Sequence, residues 1–251
     1  MAAQQMNVDN IANNLANVNT TGFKKSTLEF QDVLYRNLRP AGTSASTGTT
    51  VPTALEVGYG TRPVATTRQY EIGELQQTGN ALDLSIEGNG FFQITLPDGT
   101  IGYTRDGSFK LSAEGQITTS DGYFMYPEIT VPDDAESINV GVDGVIYAEI
   151  VGQTDPQELG QIELAKFINP AGLKAIGHNL LTETAASGDP LVGIAGEEGL
   201  GTIAQGYLEM SNVDVVTEMV NMIVAQRGYE MNSKAIQTSD DMSGIANNLK
   251  R

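Results

Sequence analysis

The chain has 251 residues, 40% apolar and 18% charged, with no cysteine, no tryptophan and a formal net charge of −17. That balance argues against nucleic acid and anionic membrane surfaces as partners, because both attract basic patches. Without cysteine there is no disulfide and no thiolate metal site.

The acid is unevenly spread: residues 41–206 hold 22 acids and 6 bases, whereas the two ends together hold 9 acids and 8 bases. Nearly neutral ends can pack in a crowded bundle, and an acidic middle suits solvent. No run of about 18 apolar residues exists, so no membrane-inserted helix is expected. The start, Met1-Ala2-Ala3-Gln4-Gln5-Met6, lacks the basic and apolar regions of a cleaved signal peptide. Composition alone reads as cytosolic.

The first element is a helix. Val8, Ile11, Leu15 and Val18 step by three, four and three, which makes a narrow apolar seam. It begins without a capping residue, since Ala2-Ala3-Gln4-Gln5 reads as helix interior. Its extent is about 18 residues, or roughly 27 Å. Six asparagines between Asn7 and Asn19 weaken it in isolation, so it should form mainly against neighbours. Asn19-Thr20-Thr21-Gly22 ends it, with Gly22 as a left-handed turn.

Leu28, Phe30, Val33, Leu34 and Leu38 suggest a second, shorter apolar segment closed by Pro40. Residues 41–53 carry no charge and almost no core-forming side chain, the composition of a flexible linker. Leu55, Val57, Tyr59 and Val64 then fall at alternating-type spacing, which suits an extended ribbon. Linker and ribbon both stay open on these residues.

From Leu75 to about Phe167 the period changes to that of strands. Leu82, Leu84 and Ile86 alternate with Asp83, Ser85 and Glu87, and Phe92, Ile94 and Leu96 alternate with Gln93 and Thr95. Asp98-Gly99, Asp106-Gly107, Asp121-Gly122 and Asp143-Gly144, with Glu114-Gly115 similar, are hairpin signals. The prediction is a meander of short antiparallel strands. Ile162, Leu164 and Phe167 add another strand, and residues 185–205 read as Gly-rich acidic loop.

A long helix closes the chain. Val213, Val216, Val220 and Ile223, then Met231, Ala235, Met242, Ile245 and Leu249, fall at helical spacing, with Thr238 in the one polar slot. The eight-residue join from Ile223 to Met231, passing through Arg227, is a stutter that straightens a coiled-coil seam. A helix of about 39 residues is roughly 58 Å long. A stripe that long and narrow wants another helix beside it.

Catalytic patterns are lacking. The one histidine, His178, lies in a loop-like Ile176-Gly177-His178-Asn179 and reads as a solvated side chain; no Gly-x-Ser-x-Gly elbow supplies a nucleophile. Adjacent acids such as Asp133-Asp134, Glu197-Glu198 and Asp240-Asp241 are expected in an acidic chain. The Asp-Gly turns lack the calcium-repeat and helix-loop-helix spacings. Gly88-Asn89-Gly90 precedes the strand pair Phe91-Phe92 and opens no nucleotide-binding helix. Neither a cofactor nor a metal is expected, and no enzyme activity.

Three stretches carry a resemblance to the rod, hook and filament proteins of the bacterial flagellar axis. Asn13-Asn14-Leu15-Ala16-Asn17-Val18-Asn19-Thr20-Thr21-Gly22-Phe23-Lys24 resembles the amino-terminal signature, and Gln226-Arg227-Gly228-Tyr229-Glu230-Met231-Asn232-Ser233-Lys234 the carboxy-terminal one. Thr78-Gly79-Asn80-Ala81-Leu82-Asp83-Leu84, leading to Gly88-Asn89-Gly90-Phe91-Phe92, resembles the strand that opens the family's β domain. Val57-Gly58-Tyr59-Gly60-Thr61-Arg62-Pro63 is similar to the distal-rod members, in which this stretch forms a long-hairpin arm that hook proteins lack.

The resemblance implies a mainly β protein with α-helical termini that pair as a coiled coil. It implies a discontinuous axial core (1–36 and 207–251), an extended β-hairpin arm (37–74) and an antiparallel β domain (75–206). It also implies a subunit polymerising with copies of itself into the distal rod, which transmits torque to the hook. Hook protein, proximal rod proteins, ring bushing proteins and the export apparatus would be its partners. It would sit in the basal body, exported without a cleaved signal peptide. Hook or proximal rod subunits, which share the terminal signatures, are the alternative, and a secreted β-rich binding protein is the reading from another class. The family's first helix starts several turns earlier, so a truncated or late start is expected here.

Overall fold

The computed structural model describes residues 1–42, 44–46, 49–50, 52–150 and 155–248. Its elements are mainly antiparallel strands, with a helix near each end of the chain. The chain divides into two compact units: Met1–Asn13, Ser26–Thr67 and Val216–Arg251 form one, and Asn14–Lys25 with Arg68–Val215 form the other.

In the first unit, helix α1 (Ala2–Ala16) buries Ala3 and Ile11. Its asparagines are not idle: Asn10 Nδ2 donates to Ser26 O at 2.8 Å, and Ser26 Oγ donates back to Asn10 Oδ1 at 2.6 Å. This two-way clasp uses a poor helix former as a tertiary hook.

The segment read as a short apolar stretch followed by either a linker or an extended ribbon is a nest of paired strands. Ser26–Asp32 pairs with Thr61–Arg68, Tyr35–Arg39 with Leu55–Gly58, and Ser44–Ser46 with Thr49–Thr50. The middle pair is antiparallel from Tyr35↔Gly58 to Arg39↔Leu55, with a register shift between Asn37 and Arg39. Arg62 Nη2 donates to Gln31 Oε1, and Thr67 Oγ1 to Glu29 Oε1, across the outer pair. Ser, Thr and Gly, the composition of a linker, equally suit a narrow ribbon, and the strands choose the ribbon. Leu34, Tyr35, Leu38, Leu55, Val57, Tyr59 and Val64 are all exposed, Leu34 to 82%. A bare two-stranded ribbon is marginal in water, and one studded with exposed apolar groups wants cover.

Helix α2 (Val215–Asn248) has 34 residues, about 51 Å of axis. It starts two residues later than the spacing predicts. Asp214, a favoured capping type, stands just before it, and Glu218 complements the helix dipole in the first turn. Gly228 on α2 lies beside α1, since a Cβ there would sit 3.8 Å from the Gln4 side chain.

The second unit holds the core. A nine-stranded sheet runs Lys110–Leu111, Ile117–Thr118, Phe124–Tyr126, Phe91–Thr95, Ile101–Thr104, Leu180–Thr182 and Lys174–Gly177, and Glu163–Lys166 joins Phe91–Thr95 to Leu191–Ile194. Ala135–Val140, Val145–Ile150 and Gln157–Gln161 form a second sheet, while Leu84–Glu87 pairs Thr202–Gln205 and Leu75–Gln77 pairs Tyr207–Glu209. Period-two alternation sends Phe92 and Phe91 to opposite faces. Phe92 joins a core with Leu84, Ile94, Phe109, Met125 and Ile203. Phe91 joins Tyr103, Ala165, Phe167, Leu173 and Leu181 on the other.

Four of the five predicted turns are left-handed at glycine: Gly99, Gly115, Gly122 and Gly144 have φ between 76° and 86°. Asp106-Gly107 differs. Gly107 accepts a hydrogen bond from Leu84 N at 3.0 Å, and a Cβ there would collide with the Leu84 carbonyl. Here the glycine serves a close backbone crossing and not a hairpin. The 185–205 stretch is not all loop either, because it contains Leu191–Ile194 and Thr202–Gln205, with Ile203 buried. Gly196, Gly199 and Gly201, with Glu197-Glu198, occupy the turn between these short strands. His178 lies in a turn at φ 53°, exposed, with Nδ1 3.2 Å from the Asp121 carboxylate.

Candidate assembly surface and ionic cluster

The predicted seam residues divide by exposure. On α1, Ile11 is buried and Val8 and Leu15 are half-buried, as is Val18 just beyond its end. Val213, ahead of α2, is buried in the second unit. Along α2, Val216, Val220, Ile223, Met231, Ala235, Met242 and Ile245 are exposed. Leu249 lies outside the described residues. The side of α2 covered within the chain carries Glu218, Met222, Ala225 and Gly228, spaced four, three and three. Apart from Met222, small and polar groups thus face inward, and most of the larger apolar groups face out. Thr238 Oγ1 donates to Lys234 O, and Ser243 Oγ to Ser239 O. Hydroxyls satisfied by their own helix can enter a dry interface without an unmet donor.

Where the amino-terminal signature ends, a feature appears that no sequence pattern announced. Lys24 Nζ donates to Glu209 Oε1 at 2.5 Å and to Glu71 O at 2.6 Å. Arg105 Nη1 lies 3.3 Å from Glu209 Oε2, and its Nη2 donates to Gly88 O at 2.7 Å. Gly73 N donates to Glu209 Oε1 at 3.0 Å. The side chains of Lys24, Arg105 and Glu209 are 3%, 3% and 1% exposed.

The surrounding backbone is stitched as tightly. Gly22 N donates to Glu209 O, Lys25 N to Asn212 Oδ1, and Asn212 Nδ2 to Gln69 O and Glu71 O. Gly22 has φ 65°, the left-handed turn expected of it, but α1 already ends at Ala16, so the turn does not cap the helix; a Cβ there would come within 2.6 Å of the Arg105 backbone. Thr21 Oγ1 donates to Asp106 Oδ1 at 2.8 Å. Residues 21–25, 69–73, 105–106 and 209–212 therefore form one polar knot, closing chain segments that are far apart in sequence. The only hint in the sequence was three charged residues, Lys24, Arg105 and Glu209, sitting next to glycine- or strand-rich stretches.

Burial dominates the electrostatics here. Desolvation pushes the Lys24 and Arg105 pKa values down, and Glu209 opposes the shift in both. Burial raises Tyr70. Tyr103 is pushed up to about 12 by burial and by the Glu183 carboxylate.

A raised phenol pKa means that the folded state keeps a proton the unfolded state has lost. Tyr103 therefore contributes stability that is full below pH 10 and is lost between about pH 10 and 12. Lys24 acts oppositely and earlier: the unfolded chain holds its proton up to 10.5, so stability rises with pH from its lowered folded pKa toward that value. Of the nine tyrosines, phenolate absorbance should show Tyr103 ionising last and together with unfolding. Tyr103→Phe should remove that late step. Nine tyrosines titrating together in the folded protein would contradict the assignment.

No nucleophile–base pair occupies these sites. Among the described residues, no three His, Asp or Glu side chains gather where they could hold a metal ion, and no described helix is long and apolar enough to cross a membrane. What the knot can do is mechanical: it ties residues 21–25 and 209–212 to the strands of the β unit.

Three family models match the chain. Residues 1–24 match the flagella basal body rod protein model, residues 85–148 the flagellar hook protein FlgE/F/G D1 domain, and residues 204–249 the flagellar basal body rod FlgEFG protein C-terminal model. The flagellar basal-body rod protein FlgG of Borreliella burgdorferi is 55% identical to it, over 100% of this chain and 96% of that relative. The protein of the same name from Caulobacter vibrioides is 47% identical, again over 100% and 96%. That from Bacillus subtilis is 42% identical over 98% of this chain and 94% of its own length. The signatures at the two ends and the strand-rich middle thus converge on one conclusion: the chain belongs to the flagellar basal-body rod protein family.

Proposed function

We propose that this chain is a structural subunit that polymerises into the distal rod of the flagellar basal body and passes torque toward the hook. Relatives named for the basal-body rod along the whole chain support this reading. The observation that carries it is the row of large apolar side chains left exposed along α2. A 34-residue helix with Val216, Val220, Ile223, Met231, Met242 and Ile245 in water is poorly suited to life as a monomer. Packed against α1 and α2 of further copies, the same row becomes a coiled-coil-like seam. Contacts of this kind between unlike surfaces generate a helical filament when the rotation does not close.

In this reading residues 1–36 and 207–251 make the axial core, 75–206 the β domain, and 37–74 an arm laid on neighbouring subunits. The hook protein, proximal rod proteins and ring bushing proteins meet the polymer's ends and outside. The subunit reaches the basal body through the export apparatus without a cleaved signal. A hook or proximal rod subunit is the second reading, and the nested ribbon, with its exposed Leu34, Tyr35 and Tyr59, favours the distal rod.

The test shortens the ribbon. Replacing residues 40–54 by Asn-Gly closes the hairpin at Arg39↔Leu55 with a favoured two-residue turn. Folding of the subunit should survive, because closure entropy changes slowly with loop length. Assembled filaments, viewed by negative-stain microscopy, should turn from straight and stiff to curved. Straight filaments of unchanged stiffness would make the ribbon a passive linker and remove the preference for rod over hook.

A further inference from the structure

Beside the ionic knot, a cavity of about 260 Å³ opens in the second unit, with Tyr70, Gly90, Phe91, Arg105, Lys166 and Phe167 among its walls. Among the described residues, two buried side-chain donors lack any hydrogen-bond partner, Tyr70 Oη and Arg105 Nε. Both belong to residues that line this cavity. The Arg68 guanidinium approaches the Tyr70 oxygen as a donor and pulls its pKa partly back down, but Arg68 cannot accept, so the hydroxyl's own proton has no acceptor.

Charge points the same way. The knot buries two cations, Lys24 and Arg105, against one carboxylate, Glu209. Lys24 also feels the exposed Glu71 carboxylate, whereas Arg105, on the cavity side, has Glu209 as its carboxylate, softened further by the Ile86 and Gly88 carbonyls and the face of Phe91. A buried net charge is unfavourable until an opposite charge reaches it. Guanidinium forks suit carboxylates, and at the rim Lys166 Nζ, donating at 3.3 Å to Gly199 O, has further N–H groups to offer. The walls are of another kind: Phe91 and Phe167 stack edge to face at 5.9 Å, and Ile168 stands 82% exposed at the mouth. A space this small, with a cationic floor and aromatic walls, excludes a nucleotide and fits one short side chain or small organic acid.

We infer that this cavity binds a carboxylate carried on a short apolar stem, with Arg105 and Tyr70 as its donors and Phe91 and Phe167 as its walls. The carboxylate comes either from an acidic side chain of a second copy of this chain or from a free organic acid. Site chemistry stands on the isolated chain and does not depend on the polymer reading.

Phenylacetate and its neutral amide, titrated into the dilute full-length chain and followed by amide NMR shifts, test it. Phenylacetate should shift Gly90, Phe91, Phe167 and Ile168, and phenylacetamide should not. Tyr70→Phe should weaken phenylacetate binding by roughly tenfold or more while leaving the melting temperature equal or higher, since it deletes an unmet buried donor. Equal shifts with the amide, no shifts with phenylacetate, or unchanged binding by Tyr70→Phe would overturn the inference. The source is read from assembly. If a neighbouring copy supplies the carboxylate, phenylacetate and Tyr70→Phe both raise the concentration needed to polymerise. If the ligand is a free acid, neither does, and binding to the dilute chain persists.

Discussion

Glu209→Ala is expected to destabilise the β unit by roughly 3–5 kcal/mol, the range for removing one partner of a buried ion pair. The carboxylate is almost wholly buried and holds Lys24, Arg105 and the Gly73 amide at once. Its removal strands two cations away from water, which costs far more than the lost hydrogen bonds themselves. Urea unfolding of the dilute chain measures this, and a shift under about 1 kcal/mol would mean that the knot is a bystander. Adding Lys24→Met to Glu209→Gln should recover part of the loss, because the charge to be compensated leaves together with its partner. A double variant no better than Glu209→Gln alone would place the effect in packing instead.

The second large effect falls on assembly and spares the monomer. Met242→Asp and Ile245→Asp alter exposed positions on α2, so the stability of the dilute chain should move by no more than about 0.5 kcal/mol. In the filament each aspartate would be buried in every repeat. Burying an unpaired charge costs several kcal/mol, so the concentration needed to polymerise should rise by about a hundredfold or more. Ala225→Asp is the control on the opposite side of the helix. That residue is buried within the chain, and its substitution should lower the melting temperature directly. Pelleting assays and thermal unfolding separate the two faces. Filaments formed normally by Met242→Asp would remove this stripe from the assembly surface.

Local chemistry was the legible part of the sequence. Steps of three and four marked both helices, and Asp-Gly pairs marked hairpins at Gly99, Gly122 and Gly144, because each of those features is decided within a few residues. Asp106-Gly107 carried the same dipeptide for another purpose, which only the crossing of Leu84 explains. Leu191–Ile194 was hidden because its partner, Glu163–Lys166, lies far upstream and supplies the reason for it to be a strand. The apolar stripe of α2 was readable, whereas the narrower face through Glu218 and Ala225 was not. A helix wheel cannot say which side meets its own chain and which meets a copy. The Lys24–Glu209 pair joins residues 185 apart, and no pattern of spacing spans that distance.

That separation governs the order in which the molecule can come together. Leu84–Glu87 waits for Thr202–Gln205, Leu75–Gln77 waits for Tyr207–Glu209, and Lys24 waits for Glu209. Contacts between residues 119 and 185 positions apart put the reward of folding behind a large loop-closure penalty. A chain emerging amino end first, from a ribosome or a narrow channel, cannot complete the β unit until residues past 200 are free. Until then Leu84–Glu87 lacks its partner strand, a state prone to pairing with other chains. The late position of Glu209 thus postpones closure of the β unit until nearly all of its residues are present.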